Sequence, residues 1–222
     1  MTNFKTYICN QFNILVLIGS SMLFSILLLM IRIKLNHSFF YLFLIWNLFL
    51  AFIPFALTSY LSTRPRQHKI SFGLCFSTWL VFLPNAPYII TDFLHLRFGD
   101  HHLLWLDVLM LASFSSNGVL LFLLSVKEMK QILLQYFSVS LYKLIITSIF
   151  PLTAFGIYLG RFLRYNSWEI IQNPIELFQD ILDIVIHPML HYEAWIFTFV
   201  FSIFLALMYQ TLNIFYKTAP KN

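Results

Sequence analysis

Leu103–Ser125 reads LLWLDVLMLASFSSNGVLLFLLS, and Asp107 is its only charge. Wound as an α-helix it is about 35 Å long, enough to cross a hydrocarbon core of roughly 30 Å. Five more runs of the same kind flank it: Phe12–Ile31, Phe39–Leu61, Ile70–Ile90, Val139–Gly160 and Glu193–Phe215. Lipid supplies no hydrogen-bond partners for an open strand edge, so every such run must be helical. The expectation is an all-α polytopic transmembrane bundle of about six helices, forming a single integral membrane domain over 1–222.

Composition agrees. Of 222 residues, 59% are hydrophobic and 10% charged, against about 25% charged in a soluble domain. No water-facing shell can be built from so few charges. The net charge of +5 does not point to nucleic acid, because the basic residues lie between the apolar runs and not along one face. There they set orientation. With six spans, Lys5, Arg64, Arg66, Lys69, Lys127, Lys130, Lys143, Lys217 and Lys221 fall on the side of the termini. Arg32, Lys34, Arg97, Arg161 and Arg164 fall on the other. The positive-inside rule therefore puts both termini in the cytoplasm. The first run is read as a retained helix and not a signal peptide, since Arg32 and Lys34 follow it in place of a small-residue cleavage site. Cys9 and Cys75 both fall near the cytoplasmic side, where thiols stay reduced. Every Asp and Glu except Glu128, and every His except His68, falls on or just inside the outer side.

Several polar residues enter the spans. Asn85 lies about five residues from the outer end of span three and Asp107 about four residues inside span four. Asn47 and Asn117 lie deeper. A charged residue near a helix centre costs about 2.5–3.5 kcal/mol, so such groups face the bundle interior or a wet cavity. The simplest geometry is a polar cleft opening outward. Taken singly, Asn47 and Asn117 read as interhelical glue worth roughly 1 kcal/mol each.

Asn85 is different because of its setting, LPNAPYIITD (Leu83–Asp92). Two prolines three residues apart each remove a backbone donor, and Ala86, before Pro87, is pushed toward extended geometry. Span three should break near its outer end. Broken helices beside substrate or ion sites recur in transporters; a helix that simply ends, with Tyr88 as interfacial anchor, is the alternative. Pro54 and Pro151 should kink spans two and five.

Span five ends in GIYLGRFLRYNSWE (Gly156–Glu169). Arg161 and Arg164 share a face if the helix continues, and guanidinium forks hold phosphate or carboxylate. Asn166 with Glu169 matches a capping-box helix start, a plausible anion site; snorkelling arginines are the plain alternative. Asn173-Pro174-Ile175-Glu176 is a second helix start. From it, Glu176, Gln179, Asp180, Asp183 and His187 oppose Phe178, Ile181, Leu182 and Val185. The pattern predicts an amphipathic helix on the outer interface. Asp92 with His95, and His187 with His191, have spacings that zinc accepts. No HExxH motif supports a metal, and Pro188 disturbs the second pair, so none is expected.

The blocks LPNAPYIITDFLHL and GIYLGRFLRYNSWE resemble a family of bacterial membrane proteins, domain of unknown function 1361. LIWNLFLAFIP (Leu44–Pro54) and WLDVLMLASFSSNG (Trp105–Gly118) are similar to further blocks of that family. Tyr165, Glu169 and Ser116 stand where its members often have Trp, Asp and Trp. The resemblance implies a bacterial cytoplasmic-membrane protein and supplies neither activity nor cofactor.

The residues alone suggest an enzyme or handling protein for an anionic, lipid-linked envelope substrate. Arg161, Arg164 and Asn166 would hold its phosphate. Asn85, Tyr88, Asp107 and Asn117 would line the cleft, and Asp92 with His95 would exchange protons. A small ion-coupled transporter using Asp107, and a non-catalytic assembly partner, are the alternatives.

Overall fold

The structure is a computed structural model and describes residues 4–64, 66–98, 101–165 and 172–218. All regular structure among them is helical. Six helical stretches are long and apolar enough to cross a bilayer: Gln11–Asn36, Phe40–Thr63, Lys69–Arg97, Leu104–Leu133, Val139–Arg161 and Tyr192–Thr218. The chain is thus a multi-pass membrane protein. Its residues gather into two compact units, Met1–Tyr136 and Phe137–Asn222.

The first unit contains α1 (Phe4–Asn36), α2 (Phe43–Thr63), α3 (Lys69–Phe82), the single turn α4 (Asn85–Tyr88) and α5 (Leu104–Leu133). α5 is its axis, packed by α1, α2 and the third span. Leu106, Met110, Leu111, Phe114, Leu121 and Phe122 are buried along it. Pro54 lies inside the continuous α2.

The third span is interrupted where the prolines predict, but it stays helical. α3 stops at Phe82, and α4 is followed by a ten-residue 3-10 helix, Ile89–Phe98. Ala86 is helical and not extended, with its N–H on the Leu83 carbonyl. Leu83 O, whose i+4 residue Pro87 has no N–H to give, accepts from Ala86 N instead (3.2 Å), and other carbonyls around the interruption are also engaged. Asn85 Nδ2 donates to Phe82 O (3.0 Å), Tyr88 N to Pro84 O (3.0 Å) and Thr91 Oγ1 to Tyr88 O (2.7 Å). From α5, Ser115 Oγ donates to Ile89 O (3.1 Å). Gly118 makes this approach possible, because a Cβ there would overlap the Ala86 carbonyl oxygen.

At the opposite end of this unit the hydroxyl of Tyr136 accepts from Gln67 N (2.7 Å), and its ring stacks on Phe72 at 4.0 Å. Trp79 Nε1 donates to Ser125 Oγ (2.7 Å), satisfying a buried indole. Cys9 and Cys75 are free thiols.

The second unit contains α6 (Val139–Arg161), α7 (Pro174–Ile186) and α8 (Tyr192–Thr218). α6 and α8 pack antiparallel through Phe150–Tyr209, Phe155–Trp195 and Tyr158–Phe197. α6 runs unbroken through Pro151. α7 begins at Pro174 with Glu176 in its first turn, as the sequence predicts, although Asn173 makes no side-chain cap bond. Ile175, Phe178, Val185 and Ile186 stand exposed on it, and Trp195 Nε1 ties it to α8 through Ile184 O (3.2 Å).

Candidate functional site

Three polar clusters of the first unit contain the residues singled out by the sequence. In the first, Asp107 in the opening turn of α5 meets Arg32 near the end of α1. Arg32 Nε donates to Asp107 Oδ1 at 2.8 Å and Nη2 to Oδ2 at 3.3 Å. Both side chains are buried. Tyr41 donates to Oδ2 at 3.4 Å, and its ring lies 5.0 Å from the guanidinium carbon. The two helix ends favour these signs, anion at an N-terminus and cation at a C-terminus. A fork-to-carboxylate pair with further hydrogen bonds is the form in which buried charge is tolerated. Asp107 was expected in the cleft as a binding or coupling group; the structure instead locks it in an ion pair.

The second cluster is the candidate acid–base centre. Asp92, in the 3-10 helix, is 1% exposed, and Asn47 Nδ2 donates to its Oδ2 at 2.9 Å. His95 sits one 3-10 turn on and is 26% exposed. Its Nδ1 lies 3.2 Å from Asp92 O and 3.8 Å from Oδ1. Residues three apart eclipse in this helix type, which is why the pair stacks. Phe43 and Phe40 hold the imidazole, with ring centroids at 4.9 and 5.9 Å. With Nδ1 turned to Asp92, Nε2 occupies the other edge of the ring. The imidazole Nδ1 is thus directed to the Asp92 backbone carbonyl, and at 3.8 Å it stands beside the carboxylate, beyond direct hydrogen-bond distance.

The third cluster lies deeper, between α1 and α5. Asn117 Nδ2 donates to Ser25 Oγ (2.8 Å), Ser113 O (3.0 Å) and Ser21 O (3.2 Å), and Ser25 and Ser113 share a 2.6 Å hydroxyl contact. Among the described residues nothing donates a hydrogen bond to the buried Asn117 Oδ1. This is interhelical adhesion, as Asn117 read singly suggests. Asn47, read the same way, proves to orient Asp92. Asn85 and Tyr88 are half-buried at the third-span interruption, where Asn85 caps a carbonyl.

The second unit holds the arginines. α6 ends at Arg161, and Arg164 takes a left-handed backbone, φ 64°, with Tyr165 N returning to Leu159 O at 3.1 Å. The helix does not continue, so the two guanidiniums do not share a helical face; that expectation is corrected. A non-glycine residue costs about 1–2 kcal/mol there. Asn166 and Glu169, read as a helix start, lie outside the described residues. Tyr165 donates to Asp180 Oδ2 of α7 at 2.8 Å.

At the end of α7, Asp183 Oδ1 lies 2.8 Å from His187 Nδ1 and Oδ2 lies 2.7 Å from His191 Nε2. Hydrogen bonds from His191 and then His187 hold the Asp183 carboxyl below the usual carboxylate range. Among the described residues no three His, Cys, Asp or Glu side chains are arranged to hold a metal ion.

Sequence reasoning missed Arg32, Tyr41, Ser25 and Ser113. One signal pointed to Arg32: an Asp inside a span needs a partner, and Arg32 ends the first apolar run on the same side.

No curated protein and no solved structure matches this chain. The model of the family described as protein of unknown function (DUF1361) matches residues 46–208, from α2 into α8, and so takes in Asp92, His95, Asp107, Asn117 and Arg161. On that match the chain belongs to the DUF1361 family.

Proposed function

We propose that the protein binds or processes an anionic, lipid-linked envelope substrate in the bacterial cytoplasmic membrane, with Asp92 and His95 as its proton-exchanging pair. The observation that carries this reading is the buried Asp92 carboxyl, oriented by Asn47, with the part-exposed His95 imidazole 3.8 Å away. The surplus of Lys and Arg on the side of the termini supports a cytoplasmic location for both ends and an outward-facing Asp92. Arg161 and Arg164, at the end of α6, supply the anion-binding chemistry of the second unit. The ion pair of Asp107 with Arg32 takes support away from a carrier coupled through Asp107.

A non-catalytic assembly role is the second reading. It is favoured by the Ser25–Ser113–Asn117 cluster, whose partners are all within the bundle.

The test is lipid profiling by mass spectrometry in a strain lacking the gene, complemented with wild type, Asp92→Asn or His95→Gln. The expected result is that both variants reach the membrane in normal amount and melt normally, yet accumulate the same anionic lipid-linked species as the deletion. If both variants restore the wild-type profile, the acid–base reading fails and the assembly reading gains.

A further inference from the structure

The second unit carries a cleft of about 460 Å³ lined by Tyr158, Phe162, Glu193, Ile196, Phe197, Val200 and Phe201. Its composition is graded along its length. Tyr158 and Phe162 lie in the final turns of α6, and Glu193 lies in the first turn of α8. This places one carboxylate and one phenol at the boundary end of the two antiparallel spans. From Glu193 to Phe201 the cleft descends about 12 Å along α8, and Ile196, Phe197, Val200 and Phe201 contribute only hydrocarbon. The walls are set by ring contacts: Tyr158–Phe162 at 4.9 Å, Phe162–Phe197 at 5.4 Å and Phe197–Phe201 at 5.2 Å.

We infer that this cleft is a binding site for one aminophospholipid, with an acyl chain along the ring-lined floor and the head-group ammonium at Glu193. Three features select that occupant. The cleft lies on membrane-spanning helices whose neighbouring residues Ile196 and Val200 are exposed, so hydrocarbon from the bilayer meets it directly. Its single polar end stands where head groups lie. Glu193, an exposed carboxylate, is the charged residue that lines the cleft, which favours a head group carrying an ammonium over one without it, while Arg161 at the end of α6 suits the phosphate that both head groups share. The inference is independent of the reading at Asp92, because it rests on the second unit alone.

The test uses full-length protein in nanodiscs of equimolar phosphatidylethanolamine and phosphatidylglycerol, released for native mass spectrometry. Wild type is expected to retain phosphatidylethanolamine over phosphatidylglycerol by about fivefold, the scale of one interfacial ion pair. Glu193→Gln should bring the two to parity while keeping the number of bound lipids. Val200→Trp, at an exposed position that tolerates bulk, should fill the floor and remove the bound lipid without altering melting. Equal retention of both lipids by wild type overturns the proposal. So does selectivity that survives Glu193→Gln, or lipid retention that survives Val200→Trp.

Discussion

α5 and α8 are both apolar helices of membrane-spanning length, yet 61% of the most apolar stretch of α5 is buried by protein and only 17% of that of α8. Hydropathy does not separate them. The partners of their polar residues do: Asp107, Ser113, Ser115, Asn117 and Ser125 of α5 bond neighbouring elements, whereas Ser202, Thr211 and Thr218 of α8 donate to carbonyls of their own helix. α8 presents Phe199, Val200, Leu207 and Phe215 outward. In lipid, hydrocarbon gains little by leaving one apolar surroundings for another, so close packing and hydrogen bonds decide which helix becomes the axis.

The sharpest way to break this contrast is Asp107→Leu. It leaves the Arg32 guanidinium buried without its carboxylate, and should cost about 3–5 kcal/mol in reversible unfolding from mild detergent. Arg32→Met combined with Asp107→Leu should recover most of that loss. A double variant no more stable than the single one would show that the pair is not the buried unit described. Next, Gly118→Ala should cost about 1–3 kcal/mol by forcing α5 away from Ala86. Gly19→Ala, where nothing lies within 4 Å of the added carbon, should be neutral in the same assay; equal effects would remove the case for a close approach.

A smaller effect is expected at Asn117→Leu, about 1 kcal/mol by thermal melting, because one set of hydrogen bonds is lost together with an unsatisfied oxygen. The smallest change is confined to the second unit. Since the Asp183 carboxyl is held below its ordinary range, the tie to His187 and His191 is intact above about pH 4. It is lost as pH falls through the lowered value. Trp195, bonded to α7, should report this as a fluorescence step that Asp183→Asn abolishes. A step that persists in the variant assigns the change to other groups.

The six spans were legible because each is a long run without competing charge, and the interruption of the third was written in Pro84 and Pro87. What happens after it was not. Ala86 stays helical with its N–H on Leu83 O, Asn85 and Thr91 bond carbonyls three residues back, and the one donor from another element, Ser115, is recognisable only once the fold is known. Arg32 was read as an orientation signal, since counting basic residues by side treats it as loop. Its partner Asp107 is 75 residues away, a separation that no local pattern encodes. Asp92 and His95 were visible as a pair, whereas the role of Asn47 in aiming the carboxylate depends on how α2 meets the third span. The shared arginine face failed at one backbone angle, that of Arg164, where a positive φ is normally reserved for glycine.

The 3-10 stretch Ile89–Phe98 also sets a gearing. Ten residues rise about 20 Å at that pitch and about 15 Å at α pitch. Rewinding them at α pitch would draw Phe98 some 5 Å toward α4 and rotate His95 roughly 60° away from Asp92. The 3-10 winding of this stretch is therefore what keeps His95 in line with Asp92.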